Sequence, residues 1–134
     1  MAISQELQNA IEFHQTFPVN NCVSDTPTLN IPNSDKALRL AMIREEAREA
    51  CEAIEESKDL AHIAKELADL QSVVYGAVVN FGLQDKWQAI MSEVHRSNMS
   101  KANPDGTVSY HPETGKVLKP ETYSPADIES ILNS

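Results

Sequence analysis

Cysteine, aromatic residues, cationic side chains and long apolar runs are all scarce in this 134-residue chain. Each scarcity removes a class of protein. The two cysteines, Cys22 and Cys51, form neither a Cys-x-x-Cys pair nor a zinc-like spacing. They are too few for a disulfide framework, so a reducing compartment is expected. Aromatics are 5% of the residues and β-branched runs are few, which argues against a sheet protein. The longest apolar stretch, Val73 to Phe81, is interrupted and too short to span a bilayer. Met1 to Ala10 has no basic region followed by an apolar one, so it does not read as a secretory signal. No Gly-x-x-x-x-Gly-Lys appears, which excludes a P-loop. The absence of a Gly-x-Ser-x-Gly elbow and of any Cys/His nucleophile pattern argues against covalent catalysis. With 11 Lys and Arg against 20 Asp and Glu, the formal net charge is -9. That balance disfavours nucleic acid or an anionic membrane as partner. A small polyphosphate stays open, because bound cations and a few placed lysines reverse the sign locally. The expectation is a soluble, cytoplasmic protein.

What is present reads as helix. Hydrophobic residues make up 41% of the chain, enough for one domain over residues 1–134. Ser4 is positioned to cap a helix to residue 16, with Leu7, Ala10, Ile11 and His14 on one face and Pro18 ending it. Residues 19–33 read as a loop. Ser34 caps a second helix to Glu56, whose inward stripe is Leu38, Met42, Glu46, Glu49, Ala50 and Ala53. Ser57 caps a third, from Lys58 to Phe81, closed by Gly82. Its second half is apolar nearly all round, more than one chain of this size wraps alone. A homodimer is therefore expected, with a homotetramer as the next choice. Asp85 and Gln88 form a capping box for a fourth helix running to Ser100. Residues 101–123 read as turns separating extended pieces, and Ser124-Pro125 opens a short last helix. The fold class is all-α: a helix-hairpin, four-helix-bundle core (residues 1–100) assembled from oligomerising subunits, with a C-terminal loop and short helix (residues 101–134).

The second helix begins apolar and turns acidic. Glu46 with Glu49, and Glu66 with Asp69, are acid-x-x-acid pairs whose members project from one helix face. Both pairs are equidistant from Ser57-Lys58, so a fold-back there sets each about 15 Å from the turn. They then face one another at one height. Four carboxylates converging on one spot repel and resist desolvation unless cations bind among them. Such oxygen-only ligands suit Mg²⁺, with Mn²⁺ as a substitute. Glu45 flanks the pairs as a fifth acid. Lys101, Lys116 and Lys119 gather after the fourth helix, placed to hold phosphate oxygens. Arg48 reads as a partner of Glu52, and His62 as part of a surface network with Asp59 and Glu66. Spacing offers His14 no partner.

Glu45-Glu46-x-x-Glu49, a gap of 16 residues, then Glu66-x-x-Asp69 resembles the metal-binding signature of the all-α nucleoside triphosphate pyrophosphohydrolases. That superfamily includes the MazG proteins, dimeric dUTPases and phosphoribosyl-ATP pyrophosphohydrolase. A MazG-like member is suggested by Phe13-His14-x-x-Phe17, by Ser97-Asn98-Met99-Ser100-Lys101, and by Gly115-Lys116-Val117-x-Lys119. The resemblance implies Mg²⁺-dependent hydrolysis of an NTP or dNTP to the monophosphate and pyrophosphate. It makes Glu46, Glu49, Glu66 and Asp69 the metal ligands. Glu45 becomes an extra ligand or the group orienting the attacking water, and Glu49 serves in catalysis as well. It also makes Asn98 and Lys101 nucleotide contacts, Lys116 and Lys119 a phosphate-closing tail, and His14 and Phe17 base-pocket residues. Two other readings remain open: a pyrophosphohydrolase acting on phosphoribosyl-ATP or an alarmone, and a non-catalytic helical module that binds a basic partner or senses nucleotides.

Overall fold

The computed structural model describes residues 3–134 and contains five helices. They are α1 (Gln5–Thr16), α2 (Asn33–Glu56), α3 (Leu60–Asn80), α4 (Trp87–Met99) and α5 (Ile128–Leu132). Among the described residues there is no strand, only an isolated antiparallel bridge between Tyr110 and Val117. No helix among them is long and apolar enough to cross a membrane. The chain forms two compact units, one ending at Asp85 and one over Lys86–Ser134.

In the first unit α2 and α3 form the antiparallel hairpin, and α1 lies against α3. Leu7, Ile31, Ala50, Ala53, Val78 and Val79 are its buried apolar residues. Small alanines on α2 let the two long helices approach closely. Ser4 caps α1 as expected, its hydroxyl accepting from the Leu7 N–H at 3.3 Å. The next two caps differ from expectation. Helix α2 starts after Pro32, whose carbonyl accepts from the N–H groups of Asp35 and Lys36, so Ser34 caps nothing. Ser57 ends α2 and accepts from the Asp59 N–H, while Asp59 caps α3 by accepting from Ala61. An aspartate two positions on competes successfully, since serine is already committed to the turn.

The α1–α2 loop is tied to the end of α3. The Ser24 N–H donates to the Val79 carbonyl and its hydroxyl to that of Asn80, while the Thr28 N–H donates to Phe81. These bonds satisfy carbonyls that a helix end leaves open. Gly82 closes α3 at φ +70, with its own N–H on Val79 and that of Leu83 on Val78. A Cβ there would stand 2.1 Å from the Thr26 carbonyl oxygen. The loop therefore passes where only glycine leaves room.

Helix α4 begins from a turn at Lys86 with no side-chain cap, so the expected Asp85/Gln88 box does not form. Helix α5 is capped by Asp127, three residues after the expected start at Ser124-Pro125. The chain before it is stapled along α4. Glu93 takes Arg96 in a two-point pair at 2.6 and 2.8 Å and accepts the Asp127 N–H at 2.7 Å. Ser100 accepts the Ser124 N–H. The 101–123 loop turns at Gly106 and Gly115, both at positive φ.

Two outcomes follow from these contacts. Gly82→Ala is expected to destabilise by roughly 2 kcal/mol or more, combining the left-handed conformation with a backbone clash; urea melts measure it. Arg96 and the Asp127 N–H lower the Glu93 carboxyl from its usual 4.5 to about 2. A depressed folded value stabilises above the unfolded one, and the effect fades as pH falls from about 4.5 towards 2. Protection of the residue 123–128 amides, taken relative to their intrinsic exchange, should therefore fall across that interval in the native chain, but not in Glu93→Gln.

Candidate functional site

The α2–α3 hairpin brings Glu46, Glu66 and Asp69 together, with one oxygen of each lying within 4.8 Å of the others. Helical periodicity makes this unavoidable once the turn sits at residues 57–59, because the acids then share a height and the inward face. The Glu46 carboxyl is raised above its ordinary range, first by burial, then by the charges of Glu49, Asp69 and Glu66. Glu49 thus sits beside the three-oxygen cluster without supplying an oxygen to it. It is half-buried, approached by Arg48 at 3.8 Å, and lines a cavity of about 560 Å³ with His62, Lys65 and Glu66. Glu45 is exposed and outside the cluster.

The electrostatics are incompletely balanced. Lys65 pairs with Asp69 at 2.6 Å and approaches Glu66 at 3.9 Å. His62 approaches Glu66 at 3.6 Å, and Arg48 pairs with Glu52 at 3.0 Å, both as the spacing suggested. Yet Glu46 Oε2 and Glu66 Oε2 are buried with no hydrogen-bond partner. A buried carboxylate oxygen without a donor is costly unless a cation completes it. Hard oxygen donors, orphaned and converging, fit Mg²⁺ or Mn²⁺.

A second cavity, of about 490 Å³, opens between α1, α2 and α3 and is lined by Phe13, His14, Arg39, Met42, Ser72 and Tyr75 among others. His14 is at this wall. Phe17 is not: it stands 56% exposed at the end of α1, its ring tilted against Phe13 at 4.8 Å, and Phe13 takes the cavity position. Beneath lies a buried polar network that sequence reasoning missed. Arg39 donates to His14 Nε2 at 2.9 Å and to Asn21 Oδ1. Asp35 accepts from the Cys22 N–H at 2.8 Å and from Asn80 Nδ2 at 3.2 Å. The available signal was the pairing of Asp35 with Arg39 at helical spacing.

In the second unit Lys101 and Lys119 line one cavity of about 500 Å³, together with Asn103, Ser109 and Glu121. Lys119 also lies over the Tyr123 ring at 4.8 Å. Lys116, exposed in the turn beyond the Tyr110–Val117 bridge, is outside that lining. Asn98 is exposed on α4 and lines none of these three cavities.

No curated protein sequence matches the chain. The family model for phosphoribosyl-ATP pyrophosphohydrolase matches residues 10–98, well over half its length, and includes every acid of the cluster. The chain therefore belongs to the phosphoribosyl-ATP pyrophosphohydrolase family, within the MazG-like all-α NTP pyrophosphatase superfamily.

Proposed function

We propose that this protein hydrolyses nucleoside or deoxynucleoside triphosphates to the monophosphate and pyrophosphate, with Mg²⁺ held by Glu46, Glu66 and Asp69 and by Glu49 beside them. The family assignment supports pyrophosphohydrolase action on a nucleotide. The observation that carries the reading is the pair of orphaned, buried carboxylate oxygens on Glu46 and Glu66 within the three-oxygen cluster.

A divalent cation bound there supplies positive charge to phosphate oxygens and acidifies a coordinated water. The remaining work falls to side chains of this chain. Glu49, half-buried at the cluster's edge, is placed to accept a proton from the attacking water. Glu45, exposed one residue from Glu46, is the extra ligand or the group that orients the attacking water. Lys101 and Lys119, which line one cavity of the second unit, are carried over from the resemblance as phosphate contacts. Lys116 and Asn98 are additional nucleotide contacts. The half-exposed Phe13 and Leu67 favour a homodimer, with a tetramer as the next assembly.

The family's name supports phosphoribosyl-ATP as a second substrate reading. Pyrophosphate release across the NTPs, dNTPs and phosphoribosyl-ATP separates the two. Glu49→Gln is expected to lower turnover roughly 10²- to 10⁴-fold with helicity unchanged by circular dichroism; pyrophosphate release at the native rate contradicts the assignment. Mg²⁺ at one hundred times its dissociation constant is expected to add about 2.7 kcal/mol of stability. Melting curves should show that gain in the native chain and its loss in Asp69→Asn. A native chain insensitive to millimolar Mg²⁺ would point to a helical interaction module instead.

A further inference from the structure

We infer that Arg39, fixed by His14 and Asn21, is a specificity-determining residue that favours bases presenting a keto oxygen over those presenting an amino group. The inference rests on the nucleotide reading above and concerns the cavity between α1, α2 and α3.

Position comes first. Arg39 precedes Glu46 by seven residues on α2, and Gly76 follows Asp69 by seven on α3. Seven residues are close to two helical turns, so both lie on the acidic face, about 10 Å from the carboxylates. Met42 on α2, with Ala68, Ser72 and Val73 on α3, lines the cavity along that interval. A nucleoside has the reach to set the far edge of its base at Arg39 while its phosphates lie at the acids. Phe13 and Tyr75 supply aromatic walls suited to a flat ring.

The chemistry of the end wall is one-sided. Arg39 is only 5% exposed, yet no carboxylate lies within 4.0 Å of its guanidinium among the described residues. Its nearest acid in sequence, Asp35, is held by Cys22 and Asn80 instead. Nη1 donates to His14, Nη2 to Asn21 and, at 3.8 Å, to Met42 Sδ, and Nε–H has no acceptor. The neighbours are fixed as acceptors. His14 Nδ1 faces the Cys22 carbonyl at 3.3 Å, so that nitrogen carries the proton and Nε2 receives Arg39. Burial also holds the imidazole below its ordinary pKa, and therefore neutral. Asn21 donates its amide to the Phe17 carbonyl at 2.8 Å, leaving Oδ1 for Arg39. At Arg39 and its two partners the wall thus offers a buried positive charge and donors with no acceptor to spare, while Glu6, Asn9 and Gln71 line other parts of the cavity. A carbonyl oxygen complements it, whereas an exocyclic amino group sets donor against donor.

Gly76 makes the arrangement possible. A Cβ there would stand 2.8 Å from Arg39 Nη1 and 3.1 Å from His14 Nε2, so alanine pushes the guanidinium off its seat.

The test uses the full chain and two isosteric pairs, dUTP with dCTP and dITP with dATP. The keto member should have a kcat/KM roughly 10- to 100-fold higher in each pair. Gly76→Ala should drive both ratios towards one, and Arg39→Met likewise if it folds. Equal values within both pairs, or ratios unmoved in Gly76→Ala, overturn the inference. Thermal shifts of the native chain with dUMP and dCMP, without metal, read the preference independently of turnover. If no triphosphate is hydrolysed, the hydrolase reading fails while a dUMP preference still upholds the base wall. Equal shifts overturn that wall even where hydrolysis is found.

Discussion

Mutual repulsion among Glu46, Glu66 and Asp69 is the constraint around which the first unit is organised. Like charges within 4.8 Å oppose the hairpin that creates them, so the packing of α2 on α3 must overcome a standing electrostatic penalty. Ala50 and Ala53, the buried small residues on α2, allow the close approach that does so. The same penalty makes the site receptive. Raised affinity of Glu46 for a proton and unfilled oxygens on two acids are both expressions of a fold that holds negative charge tighter than water would.

A second, uncharged economy governs the other end of the hairpin. Asn80 is fully buried and donates to the Cys22 carbonyl and to Asp35, while Ser24 caps the last carbonyls of α3. These bonds anchor the α1–α2 loop, and the loop in turn presents Cys22 and Asn21 to His14 and Arg39. Burial acts to raise the Asp35 carboxyl, but the N–H of Cys22 and the amide of Asn80 hold it below its ordinary range. The cavity wall is thus built from residues far apart in sequence, each made into an acceptor or donor by its other partner.

Periodicity and turn position were legible from the residues, and with them the acidic cluster. Acids three apart on each helix, equidistant from Ser57-Lys58, leave few ways to fold that do not bring them together. Caps were less legible: Asp59 takes the place of Ser57 on α3, while α2 and α4 start with no side-chain cap at all. Glu49 lies beside the three-oxygen cluster, half-buried in the lining that it shares with His62 and Lys65. Arg39 was not found, since its four-residue spacing from Asp35 reads as an ordinary solvated helix pair. Its partners His14 and Asn21 arrive from α1 and a loop, and no local spacing reports that. Phe17 illustrates the converse: a motif position fixes a residue type without fixing which of two neighbouring rings faces inward.

The Lys65 ammonium already leans on Asp69 and Glu66 from a largely exposed stem. A cation bound among the acids would compete with it, so loading the hairpin would swap one positive partner for another. The tether remains on α3 throughout, ready to return when the ion departs. Without an ion, Asp69 therefore still has a positive partner.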